Sequence, residues 1–384
     1  MDKMEKYALE PSTYGRAWVE VDLTALAHNA AELRAILPRG CELMAVVKAD
    51  AYGHGDTEVA RRLRDEGVGA FAVATAGEGL RLRESGLDGE ILVLGYTPAE
   101  DAELLNAHDL IQLVFDGGYA KALDGTGHKI RAHIAIDTGM HRLGIEASNL
   151  DELKSVFACG NLAIEGCATH LAAPDSPAPG DIEFTEGQIG KFFAAVNALR
   201  TAGYNVGKLH IQASYGMLNF PGLNCDYARA GIALYGVLSH DEAIFGKKPA
   251  LRPVLSLRAR VAQVRWIGAG ESVSYGRTFT AAAPMRLATV CAGYADGVPR
   301  QISGKGGMCI INGRKVPIVG RVCMDLLMVD ATDAGPVEPG DVATLIGADG
   351  DEVIRCEETA KAAGTITNDI LCRLGGRLPR IYKE

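Results

Sequence analysis

The sequence lacks most of the features by which several functional classes announce themselves. None of its nine cysteines forms a Cys-x-x-Cys pair, and no His/Cys spacing matches a zinc site, so neither a metal knuckle nor a dithiol redox motif is read. The odd cysteine count, in a chain of 384 residues that needs no disulfides, points to reduced thiols in a cytosolic setting. There is no long apolar run. The hydrophobic stretches are short and broken by glycine or charge, which excludes a bilayer span within these residues, and no signal peptide is read. Nor is there a basic surplus: the formal net charge is −9, with Arg and Lys scattered, so nucleic acid is not an expected partner. Internal repeats and low-complexity tracts are also missing.

What is present is apolar residue, 48% of the chain, enough for a sizeable core; the length fits one large α/β barrel plus a second unit. Residues 1–14 are polar, without periodicity, and read as a tail or linker. From Trp18 to about Gly236, apolar runs alternate with amphipathic stretches. The candidate strands are Glu42–Val47, Ala70–Ala74, Ile91–Gly95, Ile111–Phe115, Ile130–Ile136, Ile164–Thr169, Leu209–Ala213 and Ile232–Gly236. Glu58–Arg64, Gly77–Glu84, Ala99–Ala107 and Phe184–Ala202 are the candidate helices between them. Eight such runs predict a parallel (β/α)8 barrel over residues 15–245, with a doubly wound open sheet as the competing arrangement. From Leu251 onward, alternating runs separated by Gly, Pro and Asp predict an antiparallel β domain over residues 246–384, ending in one or two helices.

The polar residues at the strand ends carry the chemistry. The run Val47-Lys48-Ala49-Asp50-Ala51-Tyr52-Gly53-His54-Gly55 places a lysine at the C-terminal end of a buried strand, the end at which barrels keep their active sites. Desolvation there lowers an ammonium's pKa and suits it to Schiff-base chemistry; the plain alternative is a lysine reaching for solvent. Asp137–Gly144 follows another strand, and Thr169-His170 ends a third. Ser214, Gly231 and Ile232 fall where barrels often bind phosphate. Any one of these could be ordinary packing, but sites at successive strand ends are harder to dismiss.

These motifs resemble the alanine racemase family. The Lys48 run is similar to that family's pyridoxal-phosphate lysine motif. Asp137–Gly144, Ser274-Tyr275-Gly276, Gly293-Tyr294-Ala295-Asp296-Gly297 and Gly320-Arg321-Val322-Cys323-Met324-Asp325 match further family motifs in order, over about residues 16–382. The resemblance implies a pyridoxal-phosphate-dependent amino-acid racemase. In it Lys48 holds the cofactor and serves as one base, while Tyr275 is the base on the opposite face. His170, with Arg229 behind it, tunes Tyr275, and Arg229 also faces the cofactor's ring nitrogen. Arg142 meets the phenolic oxygen; Tyr52, Ser214, Gly231 and Ile232 hold the phosphate; Tyr294, Met324 and Asp325 border the entrance and the substrate carboxylate. No metal is implied. A homodimer is, with Tyr275, Met324 and Asp325 reaching into the partner subunit's barrel.

Two positions depart from the family pattern. Asn368 stands where alanine racemases typically have tyrosine, leaving room and a hydrogen-bonding partner for a hydroxymethyl group. That substitution resembles the VanT-type membrane serine racemases of vancomycin resistance. It implies serine as substrate, D-serine supplied for peptidoglycan precursors, and a native N-terminal membrane domain that would put this part on the cytoplasmic face. Ala135 replaces a lysine that in many members becomes carbamylated and orients the arginine corresponding to Arg142. An ordinary alanine racemase, a cofactor-carrying sensor module and a decarboxylase of the same fold are the alternatives. The second base, Tyr275, argues against the sensor, and missing motifs argue against the decarboxylase.

Overall fold

The computed structural model describes residues 15–239 and 245–384, so the expected tail at residues 1–14 lies outside the described residues. The chain divides into two compact units, Thr24–Arg252 and the segment up to Leu23 together with Pro253–Glu384. The first strand, β1 (Ala17–Asp22), therefore belongs with the C-terminal unit, although the sequence reading included it in the barrel stretch. The reason is register: β1 runs antiparallel along Leu255–Ala259 and parallel to Arg380–Lys383, burying Val19 and Val21.

Eight parallel strands of the Thr24–Arg252 unit, beside the two-residue strand Ile145–Glu146 that adds to one of them, make its main sheet: β2 (Glu42–Val46), β3 (Ala70–Val73), β4 (Glu90–Val93), β5 (Ile111–Val114), β6 (Ile130–Asp137), β7 (Leu162–Ala168), β8 (Lys208–His210) and β9 (Tyr227–Ala230). Their order, β5-β4-β3-β2-β9-β8-β7-β6, is closed by pairing of β5 with β6, so the sheet is a barrel and not an open sheet. Helices between the strands start at side-chain caps where the sequence supplies them. Thr75 and Glu78 form a reciprocal capping box at helix Ala76–Glu84, and Asp116 and Asn149 cap the helices starting at Gly117 and Leu150. One expected strand is displaced: the eighth is β9, whereas Ile232–Tyr235 is a 3-10 turn that follows it. Alanine and arginine dilute the apolar signal of Tyr-Ala-Arg-Ala, while Ile-Ala-Leu-Tyr carries a buried apolar run on a tight turn.

The other unit is mostly antiparallel. Its long strand β10 (Leu255–Ile267) pairs with β1, with β11 (Met285–Val290) and, across a bulge, with the strand Val342–Asp349. Met308–Ile311, Arg314–Val319 and Leu327–Asp330 complete a closed ring of six strands. Helices Cys356–Ala363 and Thr367–Cys372 follow. Cys41, Cys159, Cys167, Cys225, Cys291, Cys309, Cys323 and Cys356 are free thiols, six of them buried. Among the described residues no helix is long and apolar enough to cross a membrane.

Barrel closure leaves little room between neighbouring strand ends. Gly207, just before β8, has φ +60°, and a Cβ there would lie 2.0 Å from the Glu165 carbonyl oxygen. Gly207→Ala should lower stability by about 2–4 kcal/mol. Gly203→Ala, with φ +88° and open space around it, should cost only the left-handed term of about 1 kcal/mol. Denaturant unfolding of both variants checks this; equal losses would show that the close approach does not matter.

Candidate active site

At the end of β2 the backbone turns the wrong way. Ala49, Asp50, Ala51 and Tyr52 all have φ between 51° and 55°, so Lys48 opens one turn of left-handed helix built from non-glycine residues. L residues avoid this conformation because Cβ crowds the following carbonyl. Here it is held by hydrogen bonds from Ala51 N–H to the Val47 carbonyl and from Gly55 N–H to the Asp50 carbonyl, both 2.9 Å. The Tyr235 hydroxyl donates to the Val46 carbonyl, and its ring packs on Tyr52 and His54. Lys48 and the Tyr52 hydroxyl are thereby fixed relative to the barrel rather than carried on a loose loop.

The Tyr52 hydroxyl lies against Gly231, where an added Cβ would come within 2.8 Å of it. Beside it, the Ser214 hydroxyl accepts hydrogen bonds from the N–H groups of Gly231 and Ala233, at 3.1 and 3.2 Å. With its acceptor side occupied, that hydroxyl has its proton available for another oxygen. Tyr52, Ser214 and the backbone at Gly231–Ile232 thus form a compact corner of donors that a phosphate would fit.

Arg229, on β9, is buried and donates to five acceptors: the carbonyls of Thr169, His210 and Ile211 and one ring nitrogen each of His210 and His170. No carboxylate is among them. Burial, then the charge of Arg142, lowers its pKa to about 10, so it remains a cation at neutral pH. Since a guanidinium always donates, both Nδ1 atoms it meets must accept, at 2.6 Å for His210 and 3.3 Å for His170. His210 Nε2–H then donates to His133 Nδ1 at 2.9 Å, and the tautomers of this chain are set by one arginine. His170 is likewise held neutral, its pKa lowered to about 3 by burial first and then by Arg229, Arg142 and Lys48. Those same charges show that four predicted residues converge on one space.

Arg142 is itself exposed, at the end of a loop tied down by Asp137, whose carboxylate accepts from the N–H groups of Gly139, Met140 and His141. Ala135 is buried on β6 opposite Ala168 and offers that loop no polar contact of its own. Gln188 does, and sequence reasoning missed it: from helix Pro179–Thr201 it donates to the Thr138 hydroxyl and the His170 carbonyl and accepts from Ala172 N–H. His133 and His210 were also passed over, because an isolated histidine in an apolar strand looks like packing.

The remaining predicted residues lie in the other unit, on loops packed against one another. Gly293 has no room for a Cβ, since one would come within 2.3 Å of the Met324 carbonyl oxygen. Tyr294 N–H bonds to the Cys323 carbonyl and Ala295 N–H to that of Met324. Tyr275 stands on a turn in which Ser274 has φ 68° and donates its hydroxyl proton to the Arg321 carbonyl. Tyr275 is 68% exposed, Met324 52% and Tyr294 42%, an unusual apolar display. Arg377 holds the Asp325 carboxylate at 2.6 Å. Asn368 is half-buried on helix Thr367–Cys372, whose C-terminal end packs against Gly297 at the end of the Tyr294 turn.

A barrel with a strand-end lysine, a donor corner for phosphate and a buried arginine, followed by a β domain that displays a tyrosine, defines a class of pyridoxal-phosphate enzyme. Residues 21–239 match the alanine racemase N-terminal domain and residues 254–382 the alanine racemase C-terminal domain. The chain belongs to the alanine racemase family, and is an amino-acid racemase whose family cofactor is pyridoxal phosphate. It is 42% identical over 373 residues to an amino-acid racemase of Enterococcus faecalis, covering 97% of this chain and 52% of the relative. It is 38% identical over 363 residues to a serine/alanine racemase of Enterococcus gallinarum, covering 94% and 51%. The chain thus spans about half the length of these two relatives. An alanine racemase of Desulfosudis oleivorans is matched at 39% identity over 95% of this chain and 96% of its own. Among solved structures, alanine racemase of Clostridium difficile superposes with TM-score 0.89 at 32% identity, over 96% of each chain. Alanine racemase from Bartonella henselae with covalently bound pyridoxal phosphate gives 0.83 at 32%, over 96% of this chain and 100% of that one.

The buried imidazoles predict an acid-side loss of stability. His170 and His133, lowered to about 3 and about 4, and the deeply lowered His210 stay neutral in the fold, whereas in the unfolded chain they bind protons below about 6.5. Their contribution is therefore fully present above pH 6.5 and is lost as pH falls from there toward 3. His170→Asn should reduce the slope of unfolding free energy near pH 5 by about 1.4 kcal/mol per pH unit. Chemical denaturation across that range measures it; an unchanged slope would mean His170 is not held neutral.

Proposed function

We propose that this chain interconverts the L and D forms of serine, and of alanine, by a two-base mechanism. The observation that carries the serine assignment is Asn368, an amide on the helix that packs against the Tyr294 turn, where the family pattern has a larger tyrosine. An amide can both donate to and accept from a substrate hydroxyl, and a site that hydrogen-bonds an OH prefers it rather than merely tolerating it. Similarity to the serine/alanine racemase of Enterococcus gallinarum supports this reading. Ordinary alanine racemisation is the second reading, favoured by the alanine racemase of Desulfosudis oleivorans, which the chain matches over nearly that protein's whole length.

Bound pyridoxal phosphate supplies the electron sink that makes the substrate's α-proton acidic. Lys48 holds that group covalently and takes or returns the proton on one face, and the Tyr275 phenol does so on the other. Racemisation requires both, because a proton removed from one side must be replaced from the opposite side. A phenol with an unperturbed pKa near 10 is a weak base at neutral pH. Neutral His170, its Nδ1 fixed as acceptor by Arg229, presents Nε2–H as the donor that stabilises a phenolate. Arg229, still cationic, would have no proton to yield to the cofactor's ring nitrogen, which would limit its power as an electron sink and disfavour side reactions. Arg142 would hydrogen-bond the cofactor's phenolic oxygen. Tyr52, Ser214, Gly231 and Ile232 would hold the phosphate, and Met324, Asp325 and Tyr294 would line the approach of the substrate carboxylate. The active unit is a homodimer in which Tyr275, Met324 and Asp325 complete the partner subunit's barrel site, consistent with the exposure of Tyr275 and Met324. D-Serine made this way suits peptidoglycan precursors ending in that residue, as in glycopeptide resistance, and the two half-matched relatives leave room for a membrane domain in the native protein.

Lys48→Ala should lose both covalent cofactor and activity by at least about 1,000-fold, read by absorbance and chiral product analysis. A fully active variant would refute the lysine assignment. Asn368→Tyr should move the ratio of kcat/KM for L-serine over L-alanine toward alanine by about tenfold or more. A wild-type ratio already strongly favouring alanine, or one untouched by the substitution, would leave the alanine reading standing.

A further inference from the structure

We propose that Glu78 is a positioning residue for Lys48, acting through the amide of Ala49; the inference rests on Lys48 being the residue that holds the cofactor. Four successive L residues, Ala49 to Tyr52, lie in the sterically disfavoured left-handed region, so the turn after Lys48 needs support from outside itself. Glu78 provides it from the neighbouring strand–helix unit. Its Oε1 accepts the Ala49 N–H at 2.7 Å, one peptide from the lysine Cα. Its Oε2 accepts the N–H groups of Ala74 at 2.6 Å and Thr75 at 3.2 Å, where β3 runs into helix Ala76–Glu84.

A capping box needs one carboxylate oxygen. Here the second oxygen crosses to the next strand's end, so one side chain serves two connections with three backbone donors. The left-handed turn is thereby pinned to the rigid N-terminus of a helix, and the direction in which Lys48 leaves β2 is pinned with it. Only a carboxylate can serve all three donors. In Glu78→Gln one oxygen becomes an NH2, which opposes an N–H on one side whichever way the amide is turned. Loss of the Ala49 contact frees the turn to relax toward ordinary backbone, which moves the lysine without removing it.

The test compares holoenzymes of Glu78→Ala, Glu78→Gln and Thr75→Ala with wild type. Thr75→Ala removes the hydroxyl that caps Glu78 N–H at 3.2 Å but leaves the Ala49 contact, so it controls for loss of the cap alone. Hydroxylamine should strip cofactor from the two Glu78 variants about tenfold faster than from Thr75→Ala of similar melting temperature, as expected for one charge-assisted hydrogen bond. Their kcat should fall with KM little changed, and the pH dependence of the bound cofactor's absorbance should shift. If Glu78→Ala does not fold, Glu78→Gln decides. Stripping rates and spectra equal to those of Thr75→Ala would overturn the proposal and leave Glu78 as a helix cap. A Lys48→Ala protein that still binds cofactor covalently would instead overturn the lysine assignment on which it rests.

Discussion

A buried cation that meets no carboxylate among the described residues organises the barrel site around it. Arg229 is satisfied by three carbonyls and two imidazoles, so its hydrogen bonds are met while its charge is not neutralised. Removing a guanidinium from water is costly unless every donor is occupied. The acceptors come from two adjacent strand ends, those of β7 and β8 with the residues that follow them, while Arg229 itself stands on β9, which is why barrel closure and the site depend on one another. Burial first, and then this charge, keeps His170 and His210 neutral, and the guanidinium's donors fix which nitrogen of each carries the proton.

Around this centre the barrel trades local comfort for position. The left-handed turn after Lys48 is the clearest case, since a strained conformation persists only where its surroundings over-determine it. Tyr235 beneath the strand end, the Asp50 backbone and Glu78 from the next unit all bear on it. In the other unit strain falls on Ser274, at φ 68°, next to the exposed tyrosine. The two candidate bases thus share a device: each sits beside residues whose backbone is held in a rarely populated region, on chains anchored by hydrogen bonds from elsewhere.

Much of this was legible in the sequence. Apolar runs at regular spacing, alternating with amphipathic stretches, were enough for the β/α alternation, and the change of texture after Leu251 for the antiparallel unit. Strand-end placement singled out Lys48, His170 and Ser214 before any family resemblance was invoked. The eighth strand was misplaced because Tyr-Ala-Arg-Ala is apolar only in context: its arginine is satisfied by residues 18 to 60 positions away in the chain, whereas Ile-Ala-Leu-Tyr looks like a strand by composition alone. His133, His210, Gln188 and Glu78 carried no motif that separates a working polar side chain from an ordinary one.

By itself, then, the sequence determined the kind of chemistry: which residue types stand at which strand ends, and the asparagine in place of tyrosine at position 368. Those are local facts, written in side-chain identity and periodicity. The tertiary structure alone decided that the sheet closes, that β1 joins the C-terminal strands, that an arginine of unremarkable sequence context becomes a buried cation fixing two tautomers, and that a carboxylate 30 positions downstream of Lys48 grips the peptide beside it. Each of these is a hydrogen bond or register between segments far apart in the chain, and no local pattern encodes the partner.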